Sequence, residues 1–368
     1  MIRKTLIVLC LPAFLVSCNN DLEITADWKD IPVVYGILDA QDTVQHVKFN
    51  KAFLGQGDVM TMAQEFDSLH YNEENTGLRL VAHERDGGQF VATKVVEMEA
   101  TDEIVKPGGF FSSPAQVVYK TTEQIDHNKF YSAEVYYKDS DSVIASNAIP
   151  IDVLGSLQMT RPTSYAPLNF VPNSYASKAE WRSVEGGKLY ELKIRFHYIE
   201  QQITDLSDTI HKHIDWVFPY LQSNDITGGE TMSISIDVEQ FLNFLAVNIE
   251  EDADVYRQIT GMVGVQGVMG FSITHSCMDF TLLAAGEELS TYILLNEGSG
   301  SMVTERPEYT NIENGLGILS SRTSDFIEGV KINNSSNDEI AFNDITKHLN
   351  FAYFRLGDGN QIDTLYVD

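Results

Sequence analysis

The chain has 368 residues, 43% of them hydrophobic and 10% aromatic, which are globular values with room for two domains. Its formal charge of −28 repels phosphate backbones and anionic membrane surfaces, so nucleic-acid binding is disfavoured. Such a surface serves solubility or attracts cations.

The N-terminus carries an address. Arg3 and Lys4 form a short positive region, and Leu6 to Val16 an apolar run of secretory-signal length. That run falls short of the roughly 20 residues a spanning helix needs. Leu15-Val-Ser-Cys18 resembles the lipobox of bacterial lipoproteins. The resemblance implies diacylglyceryl attachment to the Cys18 thiol, cleavage before it, and acylation of the new terminus. Each buried methylene contributes about 0.8 kcal/mol, so two or three chains anchor stably where one does not. Residues 1–17 are then a signal peptide and 18–27 an acylated tether. Loss of Arg3 and Lys4 takes the charge to about −30. Acidic residues soon after Cys18 (Asp21, Glu23) resemble the surface-export signal of Bacteroidota lipoproteins. The expected location is the outer membrane, at the cell surface or on the periplasmic face. Of the three cysteines, only Cys277 remains to the folded body, which precludes an intramolecular disulfide there.

Strands dominate the rest. Ile31–Leu38 and Thr43–Phe49 read as a hairpin, and a short helix follows from an Asp58 cap through Met62 and Phe66. Leu78–Glu84 and Phe90–Val96 flank Arg85-Asp-Gly-Gly88, a hairpin turn. Phe130–Tyr137 and Ser142–Ile149 close a module over 28–153 that resembles immunoglobulin-like and fibronectin type III sandwiches. Val153–Ser156 marks a junction, and 156–368 is expected to be a second β-rich module elaborated with short helices. In it Tyr190, Leu192, Ile194 and Phe196 alternate toward a core. Asp237-Val-Glu-Gln240 is a capping-box signature before a helix bearing Phe241, Leu242 and Leu245. The pattern predicts a second helix over Asp254–Thr260 and strands over Val265–Ile273, Asp279–Ala284 and Ser290–Leu295. The fold class is therefore mainly β, two sandwich modules in one chain.

Two stretches carry a broader resemblance: Pro32–Asp39 with Val47–Gly55, and Tyr309-Thr-Asn-Ile-Glu-Asn-Gly-Leu-Gly-Ile-Leu319. With the lipobox they look like a family of Bacteroidota lipoproteins ending in an N-I-E-N-G-L-G-x-F motif, from which Leu319 departs at the aromatic position. The family has no assigned activity, so the resemblance transfers no functional residue. Its genomic neighbours imply an accessory role beside TonB-dependent transporters.

Candidate sites are few. His211 and His213 leave one strand face, and Asp215 or His197 would complete a His-x-His-x-Asp set suited to zinc; the alternative is a solvated polar face. Cys277 reads as a small buried hydrophobe, with His275 two residues away as a nucleophile's partner in the sharper reading. Asp139 with Asp141, and the acids of 250–254, suggest calcium only weakly against turns and caps. Trp28, Tyr165, Phe170 and Trp216 read as core or as a glycan platform. No catalytic residue and no cofactor beyond the Cys18 lipid are expected. The expected function is a lipid-anchored, non-enzymatic binding or assembly module with a protein partner in the outer membrane. The alternatives are a surface glycan-binding protein or hydrolase with its site in the second module, or a structural part of envelope or secretion machinery.

Overall fold

The computed structural model describes residues 31–52, 59–106, 116–163, 165–172, 177–267, 270–297, 309–357 and 361–366. Strands β1 (Ile31–Leu38) and β2 (Gln45–Ala52) pair antiparallel. Two one-turn helices, α1 (Val59–Met62) and α2 (Phe66–Leu69), replace the single helix expected there; Asp58 lies outside the described residues. Next come β3 (Thr76–Asp86) and β4 (Gln89–Glu97), the expected hairpin. The first half is completed by β5 (Glu99–Thr101), β6 (Val118–Thr121), β7 (Phe130–Tyr137), β8 (Ser142–Asn147) and β9 (Ile151–Asp152).

These strands form two facing layers. Val34, Val47 and Phe49 from β1 and β2 meet Leu78, Leu80, Ala133 and Val135 from β3 and β7 in one buried cluster. Alternating apolar residues dictate this, because each strand can hide only every second side chain. The result is a β-sandwich.

The second half begins with β10 (Met159–Arg161), β11 (Ser177–Arg182), β12 (Gly187–Gln202) and β13 (Asp205–Val217). It continues through β14 (Leu221–Gln222), β15 (Thr231–Ile236), α3 (Val238–Asn248), β16 (Val255–Ile259) and β17 (Met262–Gly267). Then follow β18 (Gly270–Gly286), α4 (Glu287–Glu297), β19 (Ile312–Glu313), β20 (Leu316–Asn333), α5 (Asn334–Phe342), β21 (Tyr353–Leu356) and β22 (Ile362–Leu365). On β12, Tyr190, Leu192, Ile194 and Phe196 are buried, as their alternation requires. They share a core with Trp181 of β11, Met232 of β15, and Phe241, Leu242 and Leu245 of α3. Asp237 caps α3: its Oδ1 accepts from the Glu239 and Gln240 N–H groups at 2.9 and 3.2 Å.

Two predicted elements change type. The helix expected over 254–260 is strand β16, whose Val255, Arg257 and Ile259 turn inward at period two while it pairs with β12. The strand expected over 290–295 lies in helix α4. Acidic Glu287 and Glu288 occupy its first turn, and Ser320 Oγ accepts from the Leu289 N–H at 3.0 Å, so its N-terminus is satisfied by a neighbouring strand.

The two halves are not separate along the chain. One eleven-stranded sheet runs β13-β12-β18-β20-β1-β2-β6-β5, with β14, β16 and β17 attached. Within it β20 has two neighbours in succession. Leu316–Ser321 pair parallel with β1, and Arg322–Asn333 pair antiparallel with β18. Ile312 and Leu319, which a boundary at 153–156 assigns to the second module, lie in the first core. The two stretches that carried the family resemblance thus adjoin one another. Gly317, at φ +106°, is needed there: a Cβ would stand 2.0 Å from the Val34 carbonyl oxygen. Leu319 packs against Gly36, where a Cβ would fall 2.8 Å from its Cδ1. Among the described residues no helix is long and apolar enough to cross a membrane.

Candidate functional site

The alternation that buries one face of β12 turns Lys193, Arg195 and His197 to the other, outer face of the long sheet. The antiparallel register places Asp215 opposite Arg195 and His213 opposite His197. The Arg195 guanidinium grips Asp215 with two bonds, Nε to Oδ1 at 2.6 Å and Nη2 to Oδ2 at 2.9 Å. That contact holds the Asp215 carboxyl below its ordinary range. His197 Nε2 lies 2.7 Å from Asp279 Oδ2 on β18, and Asp279 Oδ1 accepts from the Gly329 N–H at 2.9 Å.

The four predicted metal residues are therefore only partly brought together. The rings of His197 and His213 lie 6.1 Å apart, but Asp215 is taken by Arg195, and His211 faces Ile199 two pairs further along. Among the described residues no group of three His, Cys, Asp or Glu side chains is placed to hold a metal ion. Asp279 escaped the sequence reading because the residue that uses it is 82 positions away.

The other predicted sites resolve into structure. Cys277 is buried in the core, and burial, with Asp279 adding, pushes its thiol far above the ordinary range. A nucleophilic role would need the opposite shift. His275 is equally buried, beside Phe354, and burial pushes its imidazole down to about 4. Asp141 pairs with Arg79 at 2.6 Å, and Asp252 Oδ1 closes a turn by accepting from the Asp254 N–H. The aromatic platform does not assemble: Phe170 is buried, Trp216 stacks on Phe244 at 5.1 Å, and Tyr165 is 91% exposed. Trp28, the signal peptide, the tether and Cys18 lie outside the described residues.

What the outer face leaves open is the ground on either side of α4. The helix lies across β20, β12 and β18. On its β1 side a groove of about 370 Å³ is lined by Tyr35, Ile37, His46, Tyr292 and Ile318. On its β12 side another, of about 270 Å³, is lined by Leu189, Glu191, Tyr220, Leu283 and Ile293. Ile37, Leu289 and Arg322 border both. Arg322, which borders both grooves, lies with Nε 3.4 Å from Asp39 Oδ2 and Nη2 3.5 Å from Asp42 Oδ2. Burial raises the Asp39 carboxyl above its ordinary value, which Arg322 offsets in part. Elsewhere, a cleft of about 730 Å³ is lined by residues of 160–169 with Ser177 and Lys178, none of them a carboxylate.

Compared with models of known protein families and with curated proteins, the chain matches none.

Proposed function

We propose that the chain is a lipid-anchored binding module of the bacterial outer membrane, tethered through Cys18, that recognises a protein partner along the grooves beside α4. The carrying observation is a division of labour on the outer face. Two polar pairs occupy part of it (Arg195 with Asp215, His197 with Asp279), whereas Tyr35 and Ile37 stay 43% and 40% exposed along a groove that Asp42, His46 and Arg322 also line. Paired charges hold shape; open apolar surface rimmed by a few polar groups binds. A glycoside hydrolase would need two carboxylates at a fixed separation; the 730 Å³ cleft is lined by none, while Asp152, Glu287 and Glu288 line a smaller pocket of about 190 Å³. The resemblance to transporter-associated lipoproteins makes an accessory role beside a TonB-dependent transporter our reading of the partner.

We also read the first sandwich as immunoglobulin-like. In support, Tyr131 at the start of β7 accepts at its hydroxyl from the Asp126 N–H at 3.0 Å, as a tyrosine corner does. Tyr190 on β12 accepts likewise from the Val184 N–H at 2.9 Å.

The test is co-purification from native outer membranes. Ile37→Glu, at a half-exposed position, should lose the partner, while Val91→Glu on the other layer keeps it. Equal recovery with Ile37→Glu and wild type would contradict the groove as the binding surface. Cys18→Ala should move the chain out of the membrane fraction.

A further inference from the structure

The outer face holds a pair of histidines with a support behind one of them. His213 on β13 stands directly across from His197 on β12, within the stretch of that pairing that runs without a shift from Lys193↔Val217 to Gln201↔Thr209. Both rings leave the outer face, since Ile194, Phe196, Ile214 and Trp216 turn the alternate positions of the two strands to the core. The ring centroids lie 6.1 Å apart. Metal–nitrogen bonds of about 2.0–2.1 Å place the centroids of two imidazoles sharing one ion roughly 5–6.5 Å apart.

The support is Asp279. In the strand order β13-β12-β18 it stands on the far side of His197 from His213. Its Oδ2 lies 2.7 Å from His197 Nε2, while its Oδ1 accepts from the Gly329 N–H at 2.9 Å. A carboxylate anchored in this way accepts the Nε2 proton, fixes the tautomer of the ring and leaves Nδ1 with a lone pair. His213 is exposed and makes no hydrogen bond among the described residues. The cations nearby have other work. Arg195 and Lys193 both contact Asp215, and Lys212, on the other face, contacts Glu200. The net charge of −28 draws cations toward the chain as a whole.

We propose that His197 and His213 form a cross-strand site for a divalent first-row transition ion, copper(II) held most tightly, with Asp279 positioning His197. Two imidazole nitrogens are the protein's share and water fills the remaining positions, so the site needs no third His, Cys, Asp or Glu. Imidazole suits copper, nickel and zinc, and for a given ligand set affinity peaks at copper(II). Calcium and magnesium prefer oxygen and do not compete. Asp215 is occupied by Arg195, and His211 lies two pairs along, opposite Ile199. A bound ion ties the edge strand β13 to β12 through side chains as well as backbone.

The test uses the purified full chain in detergent, with Cu²⁺, Zn²⁺ and Ca²⁺ as probes. Electron paramagnetic resonance should show one copper ion per chain held by two imidazole nitrogens. His197→Ala and His213→Ala should each lower copper affinity at least tenfold and remove one nitrogen from the spectrum. Because His213 is exposed, His213→Ala should melt like wild type without metal. Asp279→Asn should weaken affinity about 10–100-fold while both nitrogens stay in the spectrum, which separates positioning from ligation. Zn²⁺ should raise the melting temperature of wild type but not of His213→Ala, and Ca²⁺ should raise neither. His211→Ala should bind copper as wild type does. Undiminished affinity in His213→Ala, or a wild-type spectrum without two imidazole nitrogens, would overturn the proposal. So would an equal loss in His211→Ala, which would place the ion on the adjacent pair His211 and His213.

Discussion

Strand β12 takes part in an arginine–carboxylate pair on each of its faces, and the two differ in depth. On the outer face Arg195 holds Asp215 in water, with roughly a third of each side chain accessible. On the inner face Arg257 is buried with Glu200: Nε reaches Glu200 Oε1 at 2.9 Å, Nη1 the Leu349 carbonyl at 2.7 Å and Nη2 the Glu250 carbonyl at 2.8 Å. The chemistry is the same and the consequences are not. The inner pair ties β12, β16, the segment after α3 and the C-terminal segment into one body. The outer pair orders a surface and removes a carboxylate from any ligand set. Burial, rather than residue type, decides which polar group is architecture.

The largest expected effect comes from breaking the inner pair. Arg257→Ala leaves two carbonyl groups without its guanidinium and Glu200 with Lys212 alone, which should cost about 3 kcal/mol in chemical denaturation. Arg257→Met combined with Glu200→Met removes the buried carboxylate as well and should recover much of that loss.

Buried His275 should show its depth through pH. Its folded-state imidazole sits at about 4 while the unfolded one titrates near 6.5, so the unfolded chain takes up the proton first on acidification. Its contribution is intact above pH 6.5 and is lost as the pH falls toward 4, an effect of about 2–4 kcal/mol. The denaturation midpoint of His275→Leu should depend less on pH across that window than that of wild type.

The seam between the halves comes next. Gly317→Ala forces a side chain into a positive-φ position against the Val34 carbonyl, and should destabilise by about 1–3 kcal/mol. Thermal melts should show both cores affected together, since one strand serves both; a shift confined to one transition would mark the halves as independent.

The smallest effect belongs to the outer pair. Arg195→Ala should cost about 0.2–1 kcal/mol, because the pair is exposed and screened. Asp215 has a depressed folded-state pKa, so this contribution is complete above the ordinary carboxylate value of 3.8 and disappears as the pH falls through the folded value. Wild type and Arg195→Ala should converge in stability at low pH.

These differences also explain what could be read from the residues alone. Alternation named the inward set of β12, the Asp237 cap located α3, and the paired glycines at 87 and 88 marked the β3–β4 turn. Each is a local signal. Ser-Thr-Tyr-Ile-Leu-Leu in α4 has the β-branched and aromatic character of a strand, and its helix depends on a cap from Ser320 some thirty positions on. Arg257 looked like one polar residue in a helix because its partner Glu200 is 57 positions away. The double pairing of β20 was hidden for the same reason: alternation says that a strand has an inner face, not which strands lie beside it. The candidate site was legible only as residue types. The register brought His213 to His197 as the alternation implied, while the partners that occupy these side chains, Arg195 and Asp279, come from pairing that sequence spacing does not encode.

The functional reading hangs on Cys18. The most direct measurement is the intact mass of the protein extracted from outer membranes. The account predicts a chain beginning at Cys18 and carrying two or three acyl groups. A chain retaining residues 1–17, or one with an unmodified Cys18, would contradict it.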